Sequence, residues 1–266
     1  KENKFRQALA SSIDKQRILN EAVGGDGQII HSPILPGMIG YDENIKAPDY
    51  DPEAAKALLE ELGWKMPTTG QFRTKGEIKK EGDEEIAPPE LSIKLTTIDQ
   101  SENVKIVSII QENWQAIGIK TELEIIAKEK IRKDVIETRN YQILVFGEVI
   151  NANSGPYPFW HSSQNQNPGL NLSVLANKDI DDYLDVIRSA KTDEEKIEPL
   201  TNFQKKLLEL NFAIFLYNPT YTYPTAKKLK GLDNLQFINL PADRFNNVNA
   251  WHVKTKRILS SPEENN

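Results

Sequence analysis

Cysteine is absent from the 266 residues, which removes disulfides, thiolate metal sites and cysteine nucleophiles together. Histidine is scarce. His31, His161 and His252 sit far apart and form no His-Glu-x-x-His pair, so the sequence offers no zinc-protease site. A basic excess is also missing: 33 Lys and Arg against 39 Asp and Glu leave a net charge of −6 and a pI near 5.3. A nucleic-acid binder needs a basic stripe to neutralise phosphates, and none interrupts this chain. Long apolar runs are lacking too. The longest, Phe212 to Tyr217, is 6 residues, against the ~20 that a membrane-crossing helix requires. The opening Lys1-Glu-Asn-Lys-Phe5 has no apolar signal core, so either a signal was removed or the chain begins partway through a larger protein.

What is present suffices for a packed core. Apolar residues make up 38% and charged residues 27%, which excludes a wholly disordered or fibrous chain. The length admits one large domain or two small ones. Phe5, Ala8, Leu9 and Ser12 recur at helical spacing, and Asp14 can cap a second helix carrying Ile18, Leu19 and Val23, which Gly24 to Gly27 end. Gln28 to Tyr50 is rich in Pro and Gly and reads as an ordered loop. Asp51-Pro52-Glu53 starts a helix with its stripe at Ala54, Ala55, Leu58, Leu59 and Leu62, stopped at Gly63. Thr74 to Gly82 reads as a two-stranded excursion turning at glycine.

The strongest pattern follows. Leu91, Ile93 and Leu95 alternate with polar neighbours; Ile106, Ile109, Ile110, Trp114 and Ile117 run at helical spacing to Gly118; Ile119, Thr121, Leu123 and Ile125 alternate again. This is a βαβ unit with a right-handed parallel crossover. A helix over Glu129–Thr138 and a central strand over Tyr141–Phe146 should complete a core around 91–146. Two helices, Lys178 to Ser189 and Asp193 to Leu210, and a strand from Phe212 to Tyr217 come after an unperiodic segment. The tail beyond Leu259 is polar.

Enzyme signatures are wanting. The Gly24–Gly27 run has no following Lys-Ser/Thr, no Gly-x-Ser-x-Gly elbow occurs, and the carboxylate pairs Glu84-Glu85 and Asp181-Asp182 sit in polar surroundings. The unperiodic segment from Gly147 to Ser173 is the candidate binding element. It carries Glu148, Asn151, Asn153, Tyr157, Phe159, Trp160, His161, Gln164 and Asn165, and it leaves the end of an apolar strand, where α/β sheets bind ligands. The plainer alternative is a surface loop whose aromatics pin it to the body.

Six stretches, in order, resemble family 5 of the extracellular solute-binding proteins, the peptide, nickel and oligopeptide receptors of ABC importers. They are Phe5-Arg-Gln-Ala-Leu-Ala-Ser-Ser-Ile-Asp14-Lys; the Pro33 to Tyr41 loop closing in Gly40-Tyr41-Asp42; Tyr50-Asp-Pro-Glu-Ala-Ala-Lys-Ala-Leu-Leu59 with Gly63-Trp64; Ile110-Gln111 through Ile117-Gly118-Ile119; Leu229-Lys-Gly-Leu232; and Trp251. The resemblance implies an α/β, periplasmic-binding-protein-like lobe with a mixed sheet flanked by helices. Residues 1–216 would be the second of two ligand-binding lobes, 217–251 a crossover returning to the first lobe, and 252–266 a polar tail. It further implies a fragment of a non-enzymatic, extracytoplasmic receptor that closes on its solute around a hinge. Its partners would be a peptide or other small solute, permease subunits and the missing N-terminal lobe; no cofactor and no metal are expected, and the membrane is met only through a lipid anchor outside this chain.

The family's ligand segment falls on Phe146 to Ser163, which makes Phe146, Glu148, Asn151, Asn153, Tyr157, Phe159, Trp160 and His161 the expected ligand-binding residues. Peptide-binding relatives often place an aspartate ahead of the Pro-x-x-Phe-like stretch, for the ligand's free amino group, and a tryptophan after the glycine. Here Asn151 to Pro156 holds no aspartate and Glu148 stands after the glycine. Either Glu148 supplies the missing charge or the ligand is neutral, an oligosaccharide or a capped peptide. Alternatives on the same fold are a nickel receptor, which calls for a histidine cluster, a sensor or adhesion module without transport, and a peptide hydrolase.

Overall fold

The computed structural model describes residues 2–81, 84–150, 155–232 and 241–253. The chain divides into two compact units, Lys1–Thr220 and Tyr221–Asn266.

In the first unit, α1 (Glu2–Ser11) and α2 (Lys15–Ala22) are separated by Asp14, whose carboxylate accepts the Arg17 N–H at 2.9 Å, the bond that a cap supplies to an orphan donor. The α2 end turns back at Gly25, whose N–H reaches the Leu19 carbonyl at 3.0 Å; its φ of 83° is one that glycine adopts without strain. Next come the short β1 (Gly27–Ile29) and α3 (Pro52–Glu61), capped by Asp51 through the Ala54 N–H with proline in the first turn. A hairpin of β2 (Lys79–Glu81) and β3 (Glu84–Ile86) follows.

The βαβ expectation holds closely: β4 (Ser92–Ile98), α4 (Ser101–Ala116) and β5 (Lys120–Ile126). The two strands pair in parallel with Ile93 opposite Thr121 and Leu95 opposite Leu123. The sheet is three-stranded in the order β5-β4-β6, all parallel; the antiparallel pairings form separate two-stranded ribbons. Its third member, β6, covers only Ile143–Leu144. It lies at the edge, with β4 in the centre, so the expected central strand over Tyr141–Phe146 is a short edge strand. Only Leu95 and Thr96 pair with it, and a strand with few partners on one side cannot propagate a ladder. The expected helix at Glu129–Thr138 is a single π-helical turn, Ile131–Ile136, that buries Ile131 and Val135 under the sheet's upper edge with Ile98.

Two clusters form the interior. The first joins α1, α2, α3 and α4 to the buried faces of β4 and β5 around Trp114; the Trp114 indole N–H donates to the Leu9 carbonyl at 3.2 Å. Arg73, 2% exposed, stitches the strand entries. Its side chain donates to the Ile117 and Trp64 carbonyls at 2.7 and 2.9 Å, and its backbone bonds Gly118 and Leu91. The second cluster is helical: α5 (Tyr157–Trp160), α6 (Lys178–Ser189) and α7 (Asp193–Leu210), packed around Phe203, Leu184 and Ile180. Asn177 and Thr192 cap α6 and α7, both at their sequence-predicted bounds.

The strand expected over Phe212–Tyr217 is shifted. The ladder, β7, runs Tyr217–Pro219 against β1, a pairing within the presumed loop after Gly27. The apolar residues before it still alternate: Ile214 and Leu216 join the first cluster, and Ala213 and Phe215 the second. They serve as the seam between two cores, so two-sided burial replaces ladder bonds. The second unit holds β8 (Leu229–Lys230) paired antiparallel with β9 (His252–Val253), two short 3-10 turns, and Arg244 laid over the Tyr223 and Phe245 rings. Residues 254–266, which include the expected polar tail, lie outside the described residues. Among the described residues no helix is long and apolar enough to cross a membrane.

Trp114→Ala removes the keystone of the first cluster and one of two donors to the Leu9 carbonyl, the Ser12 hydroxyl being the other. Urea unfolding should show a loss of about 3–5 kcal/mol, the range for truncating a buried large aromatic.

Candidate functional site

The candidate segment begins where the sheet lets go. The Val145 N–H donates to the Thr96 carbonyl at 2.9 Å, and the Val145 carbonyl accepts the Thr97 hydroxyl at 2.9 Å. After Val145 the chain crosses from the first cluster, which Val145 joins, to the second, which Ile150 joins. In the crossing, Phe146 is 41% and Val149 66% exposed. The departure point is the C-terminal end of parallel strands, the end at which open α/β sheets bind ligands.

Glu148 sits in this crossing. Water reaches it, since the residue is exposed, yet protein surrounds it on enough sides to push its carboxyl up to about 7. Desolvation of the charged form is the main cause, and the Arg139 guanidinium opposes it. Among the described residues no hydrogen bond or ion pair holds this carboxyl. Asn151 and Asn153 lie outside the described residues.

Beyond Gly155, a single helical turn divides the aromatics. Phe159 and Trp160 turn inward, 9% and 6% exposed; Trp160 meets Phe203 and Phe215 with ring centroids 6.4 and 5.8 Å apart. Tyr157 and His161 remain half-buried and stack at 4.3 Å, 18° from parallel, with the Arg188 guanidinium 4.7 Å from the Tyr157 ring centre. The His161 Nδ1 accepts the Ser163 N–H at 3.1 Å and lies 2.8 Å from the Ser163 hydroxyl, leaving Nε2 as the ring's other nitrogen. That nitrogen faces Asp181 and Asp185 at 3.8 and 3.7 Å, beyond hydrogen-bond reach. Asp181 is engaged by the Ser162 N–H at 2.8 Å and the Ser162 hydroxyl at 2.6 Å.

Two residues that sequence reasoning missed hold the segment. Asn171, fully buried, has its amide nitrogen within 3.2 Å of the Trp160, His161 and Leu175 carbonyls, and its Oδ1 accepts from Ser173 and Leu175. Arg139 bridges the carbonyls of Ile136, Asn165 at 3.2 Å and Gly169 at 2.6 Å. Neither carries a periodic signal; the abundance of Asn in this stretch was the only pointer, and it did not single out Asn171. Among the described residues no group of three or more His, Asp or Glu is arranged to hold a metal. Two recesses lie elsewhere. A hollow of about 50 Å³ is lined by His31, Tyr41 and Asp42; a recess of about 330 Å³, by Lys56, Arg73 and Gly118, sits at the strands' opposite end.

The sequence pattern of bacterial extracellular solute-binding proteins, family 5, middle region, matches residues 1–169. The chain belongs to that family. Against the oligopeptide-binding protein AppA of Bacillus subtilis it is 26% identical over 236 residues, covering 87% of this chain and 41% of AppA. The AppA structure, solved with a nonapeptide, superposes with a TM-score of 0.72 at 23% identity over 95% of this chain and 48% of that one. The Helicobacter pylori periplasmic binding protein DppA, in complex with the peptide STSA, gives 0.71 at 18% identity over 96% and 44%. A Thermotoga maritima periplasmic oligopeptide-binding protein with mannohexaose bound gives 0.68 at 21% over 86% and 43%. The likeness establishes the periplasmic-binding-protein fold for this α/β chain, which spans less than half the length of these relatives.

Trp160→Ala should lower unfolding free energy by about 3 kcal/mol or more, because it opens a cavity beside Phe203 and Phe215. Tyr157→Ala, half-buried, should cost under about 1.5 kcal/mol. Chemical denaturation of the two variants side by side checks the division.

Proposed function

We propose that this chain is the second ligand-binding lobe of an ABC importer's receptor, which captures extracytoplasmic peptides and delivers them to a membrane permease. Family membership and the coverage of less than half of each relative support the lobe reading; residues 217–251 would return to the first lobe. A lipid anchor outside this chain would tether the whole. The role is binding without catalysis, a reading supported by membership of a solute-binding family.

The observation that carries the ligand reading is the exposed Glu148 carboxyl, without a hydrogen-bond or ion-pair partner among the described residues, just beyond the C-terminal end of β6. A buried ammonium needs an anion, and an amide cannot substitute for one. Glu148 is the anion for the peptide's amino group in place of the absent aspartate. Phe146, Tyr157 and His161 form the apolar and polar rim against which the ligand packs, and Asn151 and Asn153 orient its backbone. Phe159 and Trp160 act from beneath by anchoring the turn that presents Tyr157 and His161. One lobe alone should bind weakly, because closure from the second side supplies the rest of the burial.

The pH dependence has a definite sign. The free carboxyl is protonated below about 7, and a cationic ligand requires it ionised. Affinity for trialanine in the full-length protein should therefore be complete above that range and fall about tenfold per unit below it. Glu148→Gln should weaken trialanine at pH 8 by tenfold or more and flatten the profile. Calorimetry across pH 5.5 to 8.5 reads both. Equal affinity for N-acetyl-trialanine would overturn the amino-group reading in favour of a neutral ligand of the oligosaccharide or capped-peptide kind.

A further inference from the structure

At the N-terminal ends of β4 and β5, the buried Arg73 has spent only part of its hydrogen-bonding capacity. Nε donates to the Ile117 carbonyl and Nη1 to the Trp64 carbonyl. The Glu60 carboxylate, on an exposed side chain, meets Nη1 at 3.4 Å. Nη2 has no acceptor among the described residues, and it is not sealed from solvent. A guanidinium carries five N–H donors, and a buried donor without an acceptor is costly. Arg73 lines the recess of about 330 Å³ together with Lys56, Glu60, Met66, Gln115 and Ala116. Its stem lies against Gly118, where a Cβ would come within 2.8 Å of the Arg73 Cγ, so glycine there lets the side chain reach the wall. The end of α4 would repel an anion through its free carbonyls, yet these are engaged. Trp114 accepts the Ile117 and Ile119 N–H groups, Gln115 accepts that of Gly118, and Ile117 and Gly118 both accept from Arg73.

We propose that this recess is a second ligand site, for a small organic carboxylate. Two cations, Lys56 and Arg73, against one carboxylate, Glu60, leave the wall one positive charge in excess. A carboxylate matches that excess, and a doubly charged phosphate overshoots it. Arg73 Nη2 and the Lys56 ammonium, which Glu53 engages at 2.8 Å, hold the carboxylate; Met66 and the Ala116 methyl pack its apolar body. The volume is about ten times a water's share of liquid, which admits an acid the size of isobutyrate. A residue that only stitched the backbone together would be served by its Nε and Nη1 bonds. The free Nη2, beside a second cation in a shared recess, is what a ligand accounts for. The site lies at the opposite end of the strands from Glu148 and does not rest on the peptide reading.

Calorimetry on the full-length protein at pH 8, with ionic strength held constant by sodium chloride, tests this with three probes: isobutyrate, its neutral analogue isobutyramide, and inorganic phosphate. Isobutyrate should bind saturably in the millimolar range, and more tightly than either of the others. Two substitutions on the exposed side of α3 should then move its affinity in opposite directions. Lys56→Gln removes a cation and should weaken isobutyrate about threefold or more; Glu60→Gln removes the competing carboxylate and should strengthen it about twofold or more. Arg73→Lys, where it folds, should abolish binding, and the two α3 variants decide the matter where it does not. Saturating trialanine should leave isobutyrate binding intact, since the two sites are at opposite strand ends. No saturable binding of isobutyrate, equal binding of the amide, or tighter binding of phosphate overturns the proposal. So does an affinity that either α3 substitution leaves unmoved, or an isobutyrate site that trialanine competes away.

Discussion

The grip of Thr96 and Thr97 on Val145 is the constraint on which the site depends. Up to that residue the chain is committed to the sheet, with β6 paired to the central strand and its side chains shared with the first core. One residue later no ladder partner remains, and the polypeptide must cross to the helical cluster, where Ile150 and Tyr157 rejoin apolar packing. A segment suspended between two cores cannot bury its own side chains. Phe146, Glu148 and Val149 are therefore presented to solvent at the strand end by the same economy that buries their neighbours.

Rigidity around that opening is polar in origin. The loop beyond α5 has little regular structure, so its backbone groups would go unpaired without Asn171 and Arg139, each of which engages at least three carbonyls. Such hubs need a rigid base, and Trp160 wedged against Phe203 and Phe215 supplies it. The outcome is a fixed scaffold that carries an exposed, electrostatically unfulfilled carboxylate.

Much of this could be read from the order of residues. The Asp14, Asp51, Asn177 and Thr192 caps all mark helix starts, because capping is a local bond between residues two or three apart. Alternation at Leu91–Leu95 and Ile119–Ile125, with helical spacing between, announced the parallel unit. The candidate segment was also visible as a break in period. Where the reading strayed, the cause was a contact distant in sequence. The Tyr141–Phe146 run looks central by composition but lies at the edge, because among the described residues only β4 pairs with it. Phe212–Leu216 alternates as a strand does, yet its two faces serve two cores rather than a ladder.

Sequence alone therefore determined the family and the α/β class, since both rest on short-range periodicity, capping and motif order. Tertiary structure decided which aromatics face inward, how Asn171 and Arg139 hold the loop, and why Glu148 differs from the chain's other carboxylates. Burial, a through-space charge and a shared guanidinium are properties of residues brought together by folding. No pattern along the chain encodes them.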